Sequence, residues 1–226
     1  MATVPGARVR QVEACVVVLL VLGGCKRGEK APADDMSTRS TTDAPATIPF
    51  NASIDCTKAA SNVEQLVCSD PSLSALDQKL GTVYKEAETK QGAPVPEWFV
   101  NEQREWNADR DACGKGSSMK GCVDSAYTRR IAAIQARNLL VPTKGPVIYS
   151  CPLNGDHGEV VAMFADTDPP TVVLERGDKS VVAYFVKAPS GARYEGSNVT
   201  FVDRGGEVQI LWLGTALKCR EQAPSS

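Results

Sequence analysis

Histidine is almost absent: the chain has one in 226 residues. That excludes any site built on two or more imidazoles, such as a three-histidine zinc centre. Long hydrophobic runs are also absent. The longest, Ala14 to Leu22, has nine residues, against about 20 for a helix that crosses a bilayer. Neither sign of charge dominates, since 25 Lys+Arg stand against 27 Asp+Glu for a net −2. Counted by segment, there is neither a polybasic tail nor an acidic arm. A nucleic-acid binder would carry a basic patch, so that class is set aside. The sequence also has no Gly-rich phosphate loop. What remains is ordinary globular composition, long enough for one large or two small domains.

The first recognisable feature is an address. Arg8 and Arg10 precede the apolar run, which is the pattern of an export signal. Leu22-Gly23-Gly24-Cys25 follows and resembles the bacterial lipobox: an aliphatic residue, two small residues, then a cysteine whose thiol takes a diacylglyceryl group. Residues 1–24 are therefore read as a lipoprotein signal peptide and Cys25 as the lipidated residue. Glu13, just ahead of the apolar run, departs from the usual signal pattern, and the alternative is a plain cleavable signal with an incidental cysteine. Stable anchoring takes more than one acyl chain, which a multiply acylated cysteine supplies. Lys26 rather than Asp follows Cys25; by analogy with Gram-negative sorting this favours an outer-membrane anchor facing the periplasm. Up to residue 50 the chain is rich in Pro, Ser, Thr, Ala and Asp, with almost nothing apolar before Ile48. Such a segment cannot bury enough surface to fold and reads as a flexible linker.

Cysteine usage fits the export signal. With Cys15 in the signal and Cys25 lipidated, six remain: Cys56, Cys68, Cys113, Cys122, Cys151 and Cys219. An even number in an exported chain reads as three disulfides, among fifteen possible pairings. Four lie before residue 140 and two after it, a distribution that fits Cys56–Cys68, Cys113–Cys122 and Cys151–Cys219. Spacings of 12, 9 and 68 are unlike those of metal-binding CxxC pairs. Closing the longest loop would contribute about 4 kcal/mol in the chain-entropy model and tie the ends of one domain together.

Hydrophobic periodicity changes along the chain. Within residues 51–140, Asp70-Pro71 supplies an N-cap and a first-turn proline. Leu73, Leu76, Leu80, Val83, Tyr84 and Ala87 then recur mostly at three and four, forming one helical face. A short helix around residues 59–67 precedes this one. Pro96 opens another with Trp98, Phe99 and Trp106, and a further helix runs from about Met119 through Val123, Tyr127, Ile131 and Ile134. The expectation is a small all-α domain whose disulfides offset a small core. Residues 146–222 switch to period two. VIYSC, EVVAMF, TVVLE, SVVAYFV, NVTFV and EVQILWL alternate with turns such as ERGDK, APSG and DRGG, which reads as an antiparallel barrel or sandwich.

Each half resembles a known family. Cys56, Cys68, Leu76-Asp77, Gln103, Trp106, Arg110-Asp111, Cys113, Cys122, Tyr127 and Arg130 form a pattern similar to the LprI-like lysozyme-inhibitor domain. The second half resembles the MliC family, membrane-bound inhibitors of c-type lysozyme. The carrying residues are Tyr149-x-Cys151, Ser190-Gly191-Ala192-Arg193-Tyr194, Phe201-x-x-Arg204-Gly205 and Cys219. This second resemblance implies a small antiparallel β-barrel closed by an end-to-end disulfide. It also implies an inhibitory Ser-Gly-x-x-Tyr loop with a second, cationic loop fourteen residues after the serine, where Arg204 stands. The family has Lys where this chain has Arg204, and usually an aromatic residue where it has Val202.

These resemblances imply a non-enzymatic, cofactor-free protein whose partner is a c-type lysozyme. Such a lysozyme works with two carboxyl groups. A blocker needs a compact donor and a cation, here Ser190 and Arg204, with Gly191 allowing a tight loop tip. Ser190, Gly191, Arg193, Tyr194 and Arg204 are the expected lysozyme-binding residues. The alternative is an envelope scaffold that binds peptidoglycan or another protein without inhibiting anything. Other candidates read as structural. Asp156-His157-Gly158-Glu159 reads as a solvated turn rather than a metal site. Glu105 and Asp109 with Arg104 and Arg110 read as ion pairs on a helix face. Trp98 and Trp106 read as core residues, with a sugar-stacking platform as the minority view.

Overall fold

The structure is a computed structural model that describes residues 53–153 and 158–223. The signal peptide, Cys25, the linker and, from the Asp156-His157-Gly158-Glu159 turn, Asp156 and His157 lie outside the described residues. Four helices come first: α1 (Asn62–Ser69), α2 (Pro71–Gln91), α3 (Glu97–Ala112) and α4 (Met119–Arg137), with a 3-10 turn at Cys113–Lys115 after α3. Eight strands follow: β1 (Thr143–Ser150), β2 (Glu159–Ala165), β3 (Thr171–Arg176), β4 (Lys179–Val186), β5 (Ala192–Gly196), β6 (Val199–Asp203), β7 (Val208–Trp212) and β8 (Thr215–Glu221). Each strand pairs antiparallel with its neighbours, and β8 returns to β1 to close a barrel.

Local chemistry starts α2 at the expected Asp70-Pro71, while α1 begins at Asn62, three residues later than its expected start near residue 59. Ser61 and Glu64 form a reciprocal capping box: Glu64 N–H donates to Ser61 Oγ (3.1 Å) and Ser61 N–H donates to Glu64 Oε2 (3.0 Å). Asp70 Oδ1 accepts from the N–H groups of Ser72 and Leu73 at the head of α2. The same carboxylate pairs with Lys120 Nζ at 2.7 Å, tying the start of α2 to α4. Leu73, Leu80, Val83 and Ala87 are buried on one side of α2, against Phe99 of α3 and Val123, Tyr127 and Ile131 of α4. Cys56–Cys68 fastens the leading segment to the end of α1, and Cys113–Cys122 fastens α3 to α4.

One polar cluster sits inside this apolar bundle. Asp77 is buried on the core side of α2, where Tyr127 Oη donates to its Oδ1 (2.9 Å) and Ile54 N–H to its Oδ2 (2.8 Å). Arg110, 5 % exposed, donates to Tyr127 Oη (3.3 Å) and grips Asp111 through Nε and Nη2. Burial and the Asp77 carboxylate raise the Tyr127 phenol, outweighing Arg110. The expected helix-face pairs of Arg104 and Arg110 with Glu105 and Asp109 are therefore replaced. Arg110 turns inward over the Trp106 and Tyr127 rings, and Arg104 donates to Asn101. Trp98 is also corrected: it is 51 % exposed, not core. Trp106 is half-buried, its Nε1 donating to the Ala126 carbonyl (3.2 Å).

α4 is buried on two sides. Its Val123–Tyr127–Ile131–Ile134 face fills the bundle, while Ala133 and Ala136 pack on Ala165, Val173 and Val182, which point outward from β2, β3 and β4. Small side chains on the helix let it lie close to the sheet. Tyr184 Oη donates to the Arg129 carbonyl (3.2 Å), and the Arg129 guanidinium lies over the Tyr184 ring. The crossing segment from α4 to β1 is held too, because Lys90 Nζ donates to the carbonyls of Asn138 and Leu139. Inside the barrel, Val160, Ala162, Val172, Leu174, Ala183, Phe201, Ile210 and Leu217 form the core. β5 and β8 are the strands that the run of β-branched residues does not announce. β5 alternates Arg193 and Glu195 with Tyr194, and β8 alternates Lys218 and Arg220 with Leu217 and Cys219, which still gives each one apolar face.

Candidate functional site

Two loops leave the barrel side by side: residues 187–191 between β4 and β5, and residues 204–207 between β6 and β7. Their adjacency follows from register. β5 and β6 pair from Gly196↔Val199 up to Ala192↔Asp203, so the residue before Ala192 meets the residue after Asp203. Gly191 has φ +72°. A Cβ there would overlap the Asp203 carbonyl oxygen and lie 3.5 Å from Arg204 Cα. A side chain is thus excluded twice, by the left-handed backbone and by the close approach. Ser190, next in the loop, is exposed, as is Arg204.

The second loop is built as a tight turn. Asp203 Oδ1 accepts from Gly205 N–H (2.8 Å), and Arg204 N–H donates to the Glu207 carbonyl (3.2 Å). Gly205 and Gly206, at φ +83° and +116°, take the turn conformations that side chains resist. Arg204 enters no ion pair with another described residue. Arg193 differs. Its guanidinium is 2.6 Å from Glu195 Oε1, two residues along the same face of β5. Its charge is matched within the strand, so it offers a partner less than Arg204 does.

Tyr194 points to the opposite face. Its ring makes edge contacts with Phe164, Phe185 and Phe201, at centroid distances of 5.8, 5.7 and 6.1 Å. Burial raises its phenol above the usual range. It roots β5 in the barrel and thereby steadies the loop that runs into β5. Of the five residues singled out from sequence, Gly191 meets the Asp203–Arg204 backbone, Ser190 precedes it in the same loop, and Arg193 and Tyr194 follow it in β5. Two contributors were not singled out. Asp203 supplies both the carbonyl that Gly191 lies against and the carboxylate that shapes the Arg204 turn; an Asp ahead of Gly-rich residues is a turn signal that points to it. Phe185, 40 % exposed opposite Tyr194, carries no such signal.

The base of the second loop is covalently braced. Val208, at the start of β7, pairs with Cys219 of β8, and Cys219 is bridged to Cys151 just after β1 with a Cα–Cα distance of 4.2 Å. β1 and β8 share only the pairs Tyr149↔Glu221 and Ser150↔Arg220. The disulfide therefore clamps the short seam of the barrel. Chemically, the two loops expose a hydroxyl and a guanidinium, groups that can donate hydrogen bonds to carboxylates. Among the described residues, no group of three or more His, Cys, Asp or Glu is placed to hold a metal.

Comparison with known proteins agrees with both halves. Residues 149–218 match the family model "Membrane-bound lysozyme-inhibitor of c-type lysozyme", and residues 56–138 match "Lysozyme inhibitor LprI". Both are families of inhibitors, not of enzymes. Lipoprotein LprI of Mycobacterium bovis and of Mycobacterium tuberculosis are each 31% identical to the chain over 206 residues, covering 91% of it and 96% of the relative. The likeness runs through the helices and the barrel alike, in the same order, and the chain therefore belongs to the LprI lipoprotein family.

Proposed function

We propose that this protein is a lipid-anchored inhibitor of c-type lysozyme that protects peptidoglycan by plugging the enzyme's catalytic cleft. The observation that carries the reading is the contact of Gly191 with the Asp203–Arg204 backbone, which sets the Ser190 loop beside the Arg204 loop. In this reading Ser190 donates its hydroxyl to one lysozyme carboxyl and Arg204 forks onto the other. Hydrogen bonds to charged groups contribute about 1.5–3 kcal/mol each, and the Gly191 contact preorganises the pair so that less ordering is lost on binding. Arg193 and Tyr194 hold the strand behind Ser190. Residues 146–222 carry the inhibitory surface, and residues 51–140 brace it through α4. Cys25 holds the molecule in the cell envelope; Lys26 after it supports an outer-membrane anchor facing the periplasm.

The test is a turbidity assay, in which c-type lysozyme clears a cell-wall suspension in the presence of the purified protein. The parent is expected to suppress clearing in a saturable, near-stoichiometric way, and the Ser190→Ala, Arg204→Ala double variant to suppress it far less. If the folded double variant inhibits like the parent, plugging by these loops is wrong. Fatty-acid labelling that persists in Cys25→Ser would remove the anchor from the proposal.

A further inference from the structure

The helical half holds a cleft for which the barrel loops have no use. It encloses about 420 Å3 between the segment leading into α1, helix α2 and helix α3. Small-molecule sites run from about 300 to 1,000 Å3. Trp106, Tyr84 and Leu80 line it. The Trp106 ring is fixed in place by its bond to the Ala126 carbonyl, by the edge contact with Tyr127 (5.1 Å) and by the Arg110 guanidinium (5.3 Å from its centroid). Tyr84 is held by stacking on Phe99 at 4.7 Å. Both rings remain half-buried, so part of each stays accessible.

The ionic groups lining this cleft are already hydrogen-bonded or paired inside the protein. Asp77 accepts from Ile54 N–H and Tyr127 Oη, and Asp55 pairs with Lys58 at 2.9 Å. Glu64 is spent on the capping box, and Arg110 on Asp111. An anionic ligand would find both lining cations, Lys58 and Arg110, already paired with carboxylates. The carboxamides are different. Gln103 accepts from Arg130 Nε through its carbonyl oxygen (3.1 Å), which leaves its NH2 group to donate, and Asn107 adds a second amide. Fixed aromatic rings beside amide donors and acceptors, with no unpaired cation, are the chemistry that recognises a neutral sugar. Its C–H faces pack on the rings and its hydroxyls bond to the amides.

We propose that this cleft binds a neutral mono- or disaccharide unit, independently of Ser190 and Arg204. The test is calorimetric titration of the purified full chain with N,N′-diacetylchitobiose, with maltose and with a galacturonic acid dimer as the anionic counterpart. Saturable binding of at least one neutral sugar is expected, with the uronic acid dimer at least about tenfold weaker. Gln103→Ala with Asn107→Ala should weaken the sugar about tenfold or more, as two lost hydrogen bonds imply. Trp106→Phe, which keeps an aromatic core contact, should weaken it by a smaller factor, and Ser190→Ala should leave it unchanged. Circular dichroism establishes that each variant is folded. The proposal is overturned if neither neutral sugar binds the folded parent, if the amide double variant binds like the parent, or if the anionic dimer binds as tightly as the neutral sugars. None of these results bears on lysozyme inhibition, which is read separately.

Discussion

Gly191 lies against the carbonyl of Asp203, with no room between them for a methyl group. The contact joins the two loops at the open end of the β5–β6 hairpin, and it makes Gly191 a geometric requirement rather than a flexible spacer. Gly191→Ala is expected to weaken lysozyme inhibition by about tenfold or more. The left-handed backbone alone costs an L-residue roughly 1–2 kcal/mol, and the overlap must additionally push the loops apart. Inhibition constants, with far-ultraviolet circular dichroism to establish an intact barrel, measure this. An alanine variant that inhibits normally would mean that the loops need not touch.

Ser190 and Arg204 should behave as a coupled pair. Ser190→Ala is expected to cost about 1–3 kcal/mol of binding, the value of a hydrogen bond to a charged group. Arg204→Ala should cost about 2–4, because it strands a carboxylate without its partner. Arg204→Lys should cost less, since the charge survives while the fork is lost. The double variant should lose less than the sum. Binding should also weaken as pH falls from about 6 to 4, because protonated lysozyme carboxyls attract Arg204 less. Surface-plasmon titrations across pH test the set; strict additivity with no pH dependence would contradict a shared carboxyl site.

Replacing Cys151 and Cys219 together by alanine should remove about 4 kcal/mol of stability, as expected for a loop of 68 residues. The seam is short, since β1 and β8 share two register pairs, with Gln222 N–H donating to the Ile148 carbonyl beside them. Urea unfolding followed by tryptophan fluorescence reads the change. A loss under about 1 kcal/mol would mean that the hydrogen-bonded seam is sufficient without the bridge.

Tyr127→Phe tests the buried polar cluster. It deletes the hydroxyl that donates to Asp77 and accepts from Arg110. Leaving Asp77 Oδ1 without that donor should destabilise the helical half by about 1–3 kcal/mol, measured by urea unfolding at 222 nm. Inhibition per folded molecule should be unchanged, since the proposed site lies in the barrel. Unaltered stability would show that Asp77 finds another donor.

Much of this architecture is written in short stretches of sequence. Asp70-Pro71 starts α2 where capping chemistry requires it, and Ser61 with Glu64 starts α1. The Val123–Tyr127–Ile131–Ile134 face needs only helical spacing, and six of the eight strands only alternation and turns. The interval between Ser190 and Arg204 is the length of one hairpin, β5 and β6 with their turn, so even the meeting of the two loops is implicit in local spacing. The six cysteines fall into neighbouring pairs because each pair closes a loop within one half of the chain.

What sequence alone determined was therefore set by interactions within a few residues: caps, turns, periodicity and the choice of residue types at the loops. Tertiary structure decided what depends on which surfaces face each other. It turned Arg110 inward and Trp98 outward. It drew β5 and β8 into the barrel despite their charge, because one apolar face and a paired edge on both sides outweigh weak strand propensity. It gave α4 a second buried face, where Ala133 and Ala136 admit the outward-facing valines of the barrel. It also gathered Trp106, Gln103 and Asn107 around a cleft with the segment near Ser53 and Ile54. Such long-range pairings carry no local signal, since the same side chains suit a solvated helix face as well as a wall until the neighbouring element is in place.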